Sequence, residues 1–177
     1  MQNFTIEEIK NNIRDIPDFP KQGIIFKDIT PLLKDSGLFA SIIEHFRKEL
    51  EGKQIDYIIG IESRGFIFGC ALANSLGCGF IPIRKPGKLP FKTRSATYSL
   101  EYGEDTLEIH EDAVGKGDKV VIIDDLLATG GTAVAALGLV ESLGADVEAL
   151  MFLIELGFLK GREKLSSCKN VVSLINF

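Results

Sequence analysis

The chain has 177 residues, 45% of them hydrophobic and 25% charged, with a formal net charge of −5. That is enough chain for one domain with a real core, with no need for disulfides or a structural metal. The acidic balance excludes a broad nucleic-acid footprint, which needs clustered Lys and Arg. Three cysteines, Cys70, Cys78 and Cys168, form no Cys-x-x-Cys pair, which excludes a disulfide framework and a zinc site. All three flank apolar stretches, so buried thiols in a reducing, cytoplasmic compartment are expected. The first ten residues carry no apolar run of a signal peptide, and nothing approaches the ~20 apolar residues of a membrane span.

Residues 5–8 (TIEE) form a capping box that opens a helix. Ile6, Ile9 and Ile13 share its apolar face, and Pro17 and Pro20 are expected to end it. Residues 18–33 (DFPKQGIIFKDITPLL) mix Pro and Gly with apolar residues and read as ordered irregular structure holding a short strand. A second helix is predicted over 36–51, with Leu38, Phe39, Ile42, Ile43, Phe46 and Leu50 inward.

Strands then alternate with helices. A strand is predicted over 56–61, a helix over 65–76 stopped by Gly77, and a strand over 80–84. Residues 85–94 (KPGKLPFKTR) read as an exposed basic loop. Residues 97–101 and 106–110 alternate in polarity around 102–105, as a hairpin does. The apolar run 119–124 (KVVIID) breaks into acid, like a buried parallel strand reaching its carboxyl edge. A helix over 131–143 stopped by Gly144, a strand over 147–154, a short helix over 158–165 and a strand over 171–175 complete the chain.

This alternation predicts an α/β fold: a mostly parallel central sheet flanked by helices. Ligands in such sheets bind beyond the carboxyl ends of the strands, which points to the turns after Ile61, Arg84 and Asp124.

The strongest chemical signal is residues 120–132 (VVIIDDLLATGGT). Four apolar residues bury a strand, two acids emerge at its end, and small residues open a helix. A turn of Ala128, Thr129, Gly130, Gly131 and Thr132 can aim several backbone N–H groups at one anion, with the helix dipole and two hydroxyls in support. No Lys follows the glycines, so this is not a nucleoside-triphosphate loop, and no G-x-G-x-x-G fingerprint is present. Asp124 and Asp125 beside an anion site call for something between them and the phosphate: sugar hydroxyls or Mg²⁺. A ribose 5-phosphate meets both demands.

This string resembles the phosphoribosyl-diphosphate motif of the type I phosphoribosyltransferases. Residues 19–28 (FPKQGIIFKD), 62–65 (ESRG), 84–90 (RKPGKLP) and 98–103 (YSLEYG) are similar, in order, to segments of the branch of that family that acts on adenine. The resemblance implies one domain over 1–177, with a small N-terminal hood over roughly 1–33 and a flexible β-hairpin flap over 85–110. It implies conversion of adenine and 5-phosphoribosyl 1-diphosphate to AMP and pyrophosphate, with Mg²⁺, in a cytoplasmic homodimer that engages neither nucleic acid nor membrane.

By the same resemblance, residues 128–132 take the 5′-phosphate, and Asp124 and Asp125 take the ribose hydroxyls. Glu62, Ser63 and Arg64 form a pyrophosphate loop with a non-proline cis peptide between Glu62 and Ser63. Arg84, Lys85 and Lys88 cover pyrophosphate, partly from a neighbouring subunit. Ile25, Phe26 and Lys27 receive adenine, Phe26 by stacking and Ile25 through its backbone. Lys27 stands where some relatives carry Arg, which weakens any contact made by a guanidinium. Glu101 is the candidate acid/base, and Tyr102 helps position the flap. Arg64, Asp125 and Glu101 are the residues expected to carry catalysis. The alternatives are another base, such as xanthine, hypoxanthine or uracil, and a regulator, which would need a DNA-binding module that this length does not hold.

Overall fold

The computed structural model describes residues 3–99 and 104–177. The chain opens with α1 (Ile6–Asn11), whose capping box closes through Thr5 and Glu8 as the sequence predicts. The helix stops at Asn11, well short of Pro17, and Arg14–Pro17 forms a strand, β1, instead. β1 pairs antiparallel with β2 (Ile25–Asp28), so the predicted short strand has a partner that helical spacing had concealed. Next come α2 (Thr30–Lys34) and α3 (Ser36–Glu49). The inward face of α3 is as expected, except that Phe39 is half-buried.

The remaining elements are β3 (Tyr57–Ile61), α4 (Gly65–Leu76), β4 (Gly79–Ile83), the hairpin β5 (Thr93–Ser99) and β6 (Glu104–His110), β7 (Lys119–Leu127), α5 (Gly131–Ser142), β8 (Asp146–Glu155) and β9 (Val171–Asn176). The predicted helix over 158–165 is two 3-10 turns, Gly157–Leu159 and Gly161–Leu165. Lys160 separates them with φ 55, a left-handed conformation that an α-helix cannot contain.

Among the described residues, one five-stranded parallel sheet runs in the order β4-β3-β7-β8-β9. Its strands read as continuous apolar runs because both faces are covered. Alternate residues point to opposite sides: Ile59, Ile122 and Leu150 toward α5, and Ile58, Val121 and Met151 toward α3 and α4. Strand order reverses between β3 and β7, so the chain leaves these neighbouring strands in opposite directions and opens a crevice at their carboxyl ends.

The thiols are less buried than their apolar surroundings suggest: Cys70 is exposed, and Cys78 and Cys168 are intermediate. In α4 Cys70 lies two residues from both Phe68 and Leu72, which are fully buried. At 100° per residue that spacing turns its side chain to the far side of the helix.

Candidate functional site

The crevice is built from three chain segments. After β3, the Glu62–Ser63 peptide is cis, as the resemblance implies. The chain then turns through Arg64 into α4. Gly65 rests directly on the end of β7, where a Cβ would stand 2.7 Å from the Ile123 carbonyl oxygen. Only a glycine lets the two loops approach this closely. The contact brings Arg64 to Asp125, with Nε 3.0 Å from Oδ2.

β7 runs three residues beyond its predicted end and carries both acids within the strand. Asp125 is buried, and its N–H donates to Asp124 Oδ1 at 2.9 Å. Burial and the neighbouring Asp125 charge push the Asp124 carboxyl well above the usual carboxylate range. Burial also raises Asp125, against the opposing pull of the Arg64 guanidinium. Two adjacent carboxylates with a single cation, Arg64, paired to Asp125 are short of positive charge and of hydroxyl donors.

Beyond the acids, Gly130 adopts φ 82 and starts α5 with no side-chain cap. The first amides of a helix lack intrahelical acceptors, so an uncapped start leaves N–H groups available to an anion. Residues 128–132 line a cavity of about 240 Å³ together with Arg64, Asp124 and Asp125.

The basic loop supplies the third segment, and its cations are already partnered. Glu62 accepts hydrogen bonds from Lys88 Nζ at 2.6 Å, the Lys85 N–H at 3.0 Å and Arg84 Nε at 3.2 Å. Burial alone would raise the Glu62 carboxyl, but Lys88, the Lys85 N–H and Arg84 together hold it at about 2. Glu62 is therefore an anchor for the cations here rather than a free side chain of the loop. The Lys85 ammonium pairs with Asp105 and lies 3.4 Å from the Tyr98 hydroxyl. Tyr98 donates to Asp105 Oδ2 at 3.2 Å and accepts from Thr132 Oγ1 at 3.2 Å.

The sequence singled out neither Tyr98 nor Asp105 for a role. The signal was the hairpin register, which sets Tyr98 opposite Asp105. A second cavity of about 290 Å³ reaches from Glu62, Ser63, Arg64 and Lys85 to Thr132 and both acids, so part of the predicted pyrophosphate set meets the edge of the phosphate turn, while Arg84 and Lys88 stand behind it on Glu62.

The β1–β2 ribbon faces this crevice through Phe26, whose ring centroid lies 5.3 Å from the Arg64 guanidinium and 5.3 Å from Phe19. Strand alternation turns Ile25 and Lys27 to the other side. There Lys27 Nζ pairs with Asp15 at 2.7 Å and sits 3.8 Å from the centre of the Phe177 ring. Any contact between Lys27 and a base at Phe26 thus falls to its backbone, not its ammonium. Glu101 and Tyr102 lie outside the described residues. His45, which offered no evident partner in the sequence, has its Nε2 2.9 Å from the Phe4 carbonyl oxygen.

Known proteins resemble this chain along nearly its full length. The model of the phosphoribosyl transferase domain matches residues 32–175. Adenine phosphoribosyltransferase of Thermoanaerobacter pseudethanolicus is 60% identical over 173 residues, covering 98% of this chain and 99% of that one. Its crystal structure superposes with a TM-score of 0.94, covering 98% and 100% of the two chains. The Saccharomyces cerevisiae enzyme, solved with an imino-altritol bisphosphate and adenine, is 47% identical with a TM-score of 0.92, over 96% and 97%. The Trypanosoma brucei enzyme, solved with AMP, pyrophosphate and ribose-5-phosphate, is 26% identical with a TM-score of 0.88, over 97% and 79%.

Proposed function

The chain belongs to the phosphoribosyltransferase family, with the adenine phosphoribosyltransferases, and we infer that it joins adenine to 5-phosphoribosyl 1-diphosphate, forming AMP and pyrophosphate. The observation that carries the site reading is the meeting of two loops at the β3–β7 crevice. One offers uncapped amides and the other offers cations, and two carboxylates stand between them. A 5′-phosphate, a diphosphate and the ribose that links them need that order of groups.

In this reading residues 128–132 hold the 5′-phosphate through backbone N–H groups and the Thr129 and Thr132 hydroxyls. Asp124 and Asp125 accept hydrogen bonds from the ribose hydroxyls, which relieves their shortage of donors. Arg64, Arg84, Lys85 and Lys88 hold the pyrophosphate, with Ser63 in the same loop. Adenine stacks on Phe26 and pairs its edge with the Ile25 and Lys27 backbone. Residues 1–33 act as a hood over the base, and residues 85–110 as a flap that closes on the reactants.

The C1′–O bond to pyrophosphate breaks as adenine N9 bonds to C1′, through a ring carrying cationic, oxocarbenium-like charge. The anionic pair below the ribose stabilises that charge, while the cations take up the charge of the leaving group. Glu101 accepts the imidazole proton, Tyr102 helps seat the flap, and closure keeps water from the cation. No covalent nucleophile enters.

The donor set fits a magnesium ion carried mainly by substrate. The described residues hold no cluster of three or more His, Cys, Asp or Glu arranged for a metal, and Asp125 is already engaged by Arg64. Asp124 and the substrate's own oxygens are the ligands this arrangement leaves. When bound, the ion neutralises charge on the departing diphosphate. The working unit is a homodimer in which the basic loop covers pyrophosphate partly from the neighbouring subunit. Three free thiols suit a reducing, cytoplasmic setting. Among the described residues no helix is long and apolar enough to cross a membrane.

The test is pyrophosphate release from 5-phosphoribosyl 1-diphosphate and Mg²⁺ with a panel of nucleobases. Adenine should be the preferred acceptor. Faster release with hypoxanthine, xanthine or uracil, or none with any base, overturns the assignment.

A further inference from the structure

Outside the residues that face substrate, we infer that Arg162 is a positioning residue for the phosphate turn, acting through Gly161. This inference rests on the reading of residues 128–132 as the 5′-phosphate site. The turn does not stand alone, because Gly161 is pressed against its outer side. A Cβ on Gly161 would collide with the Ala128 carbonyl oxygen and stand 2.8 Å from the Gly130 amide nitrogen. A Cβ on Gly130 would in turn stand 2.5 Å from the Gly161 carbonyl oxygen. Two glycines therefore meet backbone to backbone, and the direction of the Gly130 amide depends on where the second loop sits.

That second loop is the stretch broken by Lys160, and regular helical hydrogen bonding does not run through it. Its fixed point is the side chain of Arg162. Nε donates to Glu155 Oε1 at 3.0 Å, Nη1 to the Val171 carbonyl oxygen at 2.6 Å and Nη2 to Ser173 Oγ at 3.0 Å. Glu155 closes β8 and is only 5% exposed, while Val171 and Ser173 belong to β9. One guanidinium thus ties the residue after Gly161 to two strands of the central sheet. A planar fork of five donors can serve three acceptors in different directions, which a lysine ammonium on a flexible stem cannot hold in the same way.

The consequence is local. Backbone amides bind an anion only in the direction they point, so loosening Gly161 should weaken the 5′-phosphate contact and leave the pyrophosphate cations untouched. For Arg162→Ala, AMP affinity should fall roughly 10- to 100-fold, the loss expected when a hydrogen bond to a charged phosphate is misaligned. Affinity for magnesium pyrophosphate should stay as it is. Both are measured on the full chain by titration calorimetry, beside Arg162→Lys and Thr132→Val.

Arg162→Lys should remain weakened for AMP, and it carries the test if the alanine variant does not fold. Equal losses for AMP and pyrophosphate would mean a merely structural arginine and overturn the inference. So would unchanged AMP affinity in both Arg162 variants while Thr132→Val binds AMP weakly. If Thr132→Val also keeps its AMP affinity, the phosphate-site reading itself has failed, and the inference goes with it.

Discussion

In the proposed site, the anion at the carboxyl end of β7 would meet backbone. The turn over 128–132 contains no charged residue, and its fit comes from Gly130 at φ 82 and from Gly161 packed behind it. At the ends of β3 and β4 the same crevice is lined by four cations, each already facing a carboxylate: Arg64 with Asp125, Arg84 and Lys88 with Glu62, Lys85 with Asp105. One side of the site is made of shape and the other of charge held in balance. The proposed roles would account for the difference. A 5′-phosphate stays on the sugar throughout, so a rigid cradle would suit it. A pyrophosphate gains charge and leaves, so its partners would have to exchange one anion for another. In a chain of net charge −5, carboxylates also keep the cations in place before substrate arrives.

The shape side should fail most completely to a change of shape. Gly130→Val puts a branched side chain at a positive φ and against the Gly161 carbonyl. AMP formation should fall at least ~100-fold, since the amides no longer converge on the phosphate. Magnesium pyrophosphate binding should persist, because the substitution touches no cation. Steady-state rates and calorimetry with each ligand check both halves. Near-normal turnover would mean that the cradle is elsewhere.

The charge side should respond to pH. Glu62, held at about 2 in the folded chain against an ordinary 4.5, binds its proton less readily folded than unfolded. Its contribution to stability is therefore complete above pH 4.5 and is lost as pH falls from there toward 2. Glu62→Gln should cost on the order of 2 kcal/mol at neutral pH, a modest figure because its lysine partner is half exposed. Denaturant unfolding at pH 7 and pH 3 should show the gap between variant and parent narrowing in acid. A gap that is constant with pH would mean that Glu62 works by packing alone.

The two sides also differed in how much of them could be read in advance. The phosphate turn is contiguous, so hydrophobic run, acids and glycines announce it within thirteen residues. The sheet was legible for the same reason: α4 starts and ends where its glycines imply, and the parallel strands follow from uninterrupted apolar runs. The cation side is assembled from distant residues. That Glu62 answers Lys88, or that Tyr98 bridges Thr132 and Asp105, depends on the register of β5 on β6 and on how the loops cross. No local pattern carries that information. β1 was missed because Ile13 continues a helical spacing that Asn12 has already capped, and a four-residue strand acquires meaning only from its partner β2. The segment over 158–165 has helix-like composition, and nothing in that composition announces the left-handed Lys160 that divides it or the contact of Gly161 with the turn over 128–132.

Asp124 lies where the two sides join, and its expected effect is the smallest in stability and opposite in sign. Burial and the adjacent Asp125 raise its carboxyl well above the ordinary 3.8, so the folded chain holds this proton more tightly than the unfolded one. The resulting cost to stability appears as pH rises above 3.8 and is complete only beyond the raised value. Asp124→Asn removes the charge while keeping the size. The free protein should therefore melt higher at and above neutral pH, and a gain of about 1 kcal/mol would raise Tm by roughly 2–4 °C in a chain of this length. Toward pH 3 the difference should nearly disappear, since the parent residue is then mostly protonated in both states. AMP formation should nevertheless decline in the variant, because a neutral amide faces the positive charge that develops on the ribose. Thermal melts at the two pH values with parallel rate measurements decide it. A lower Tm at neutral pH would show that the carboxylate is already satisfied in the free protein, and the charge strain at the junction of the two phosphate sites would not exist.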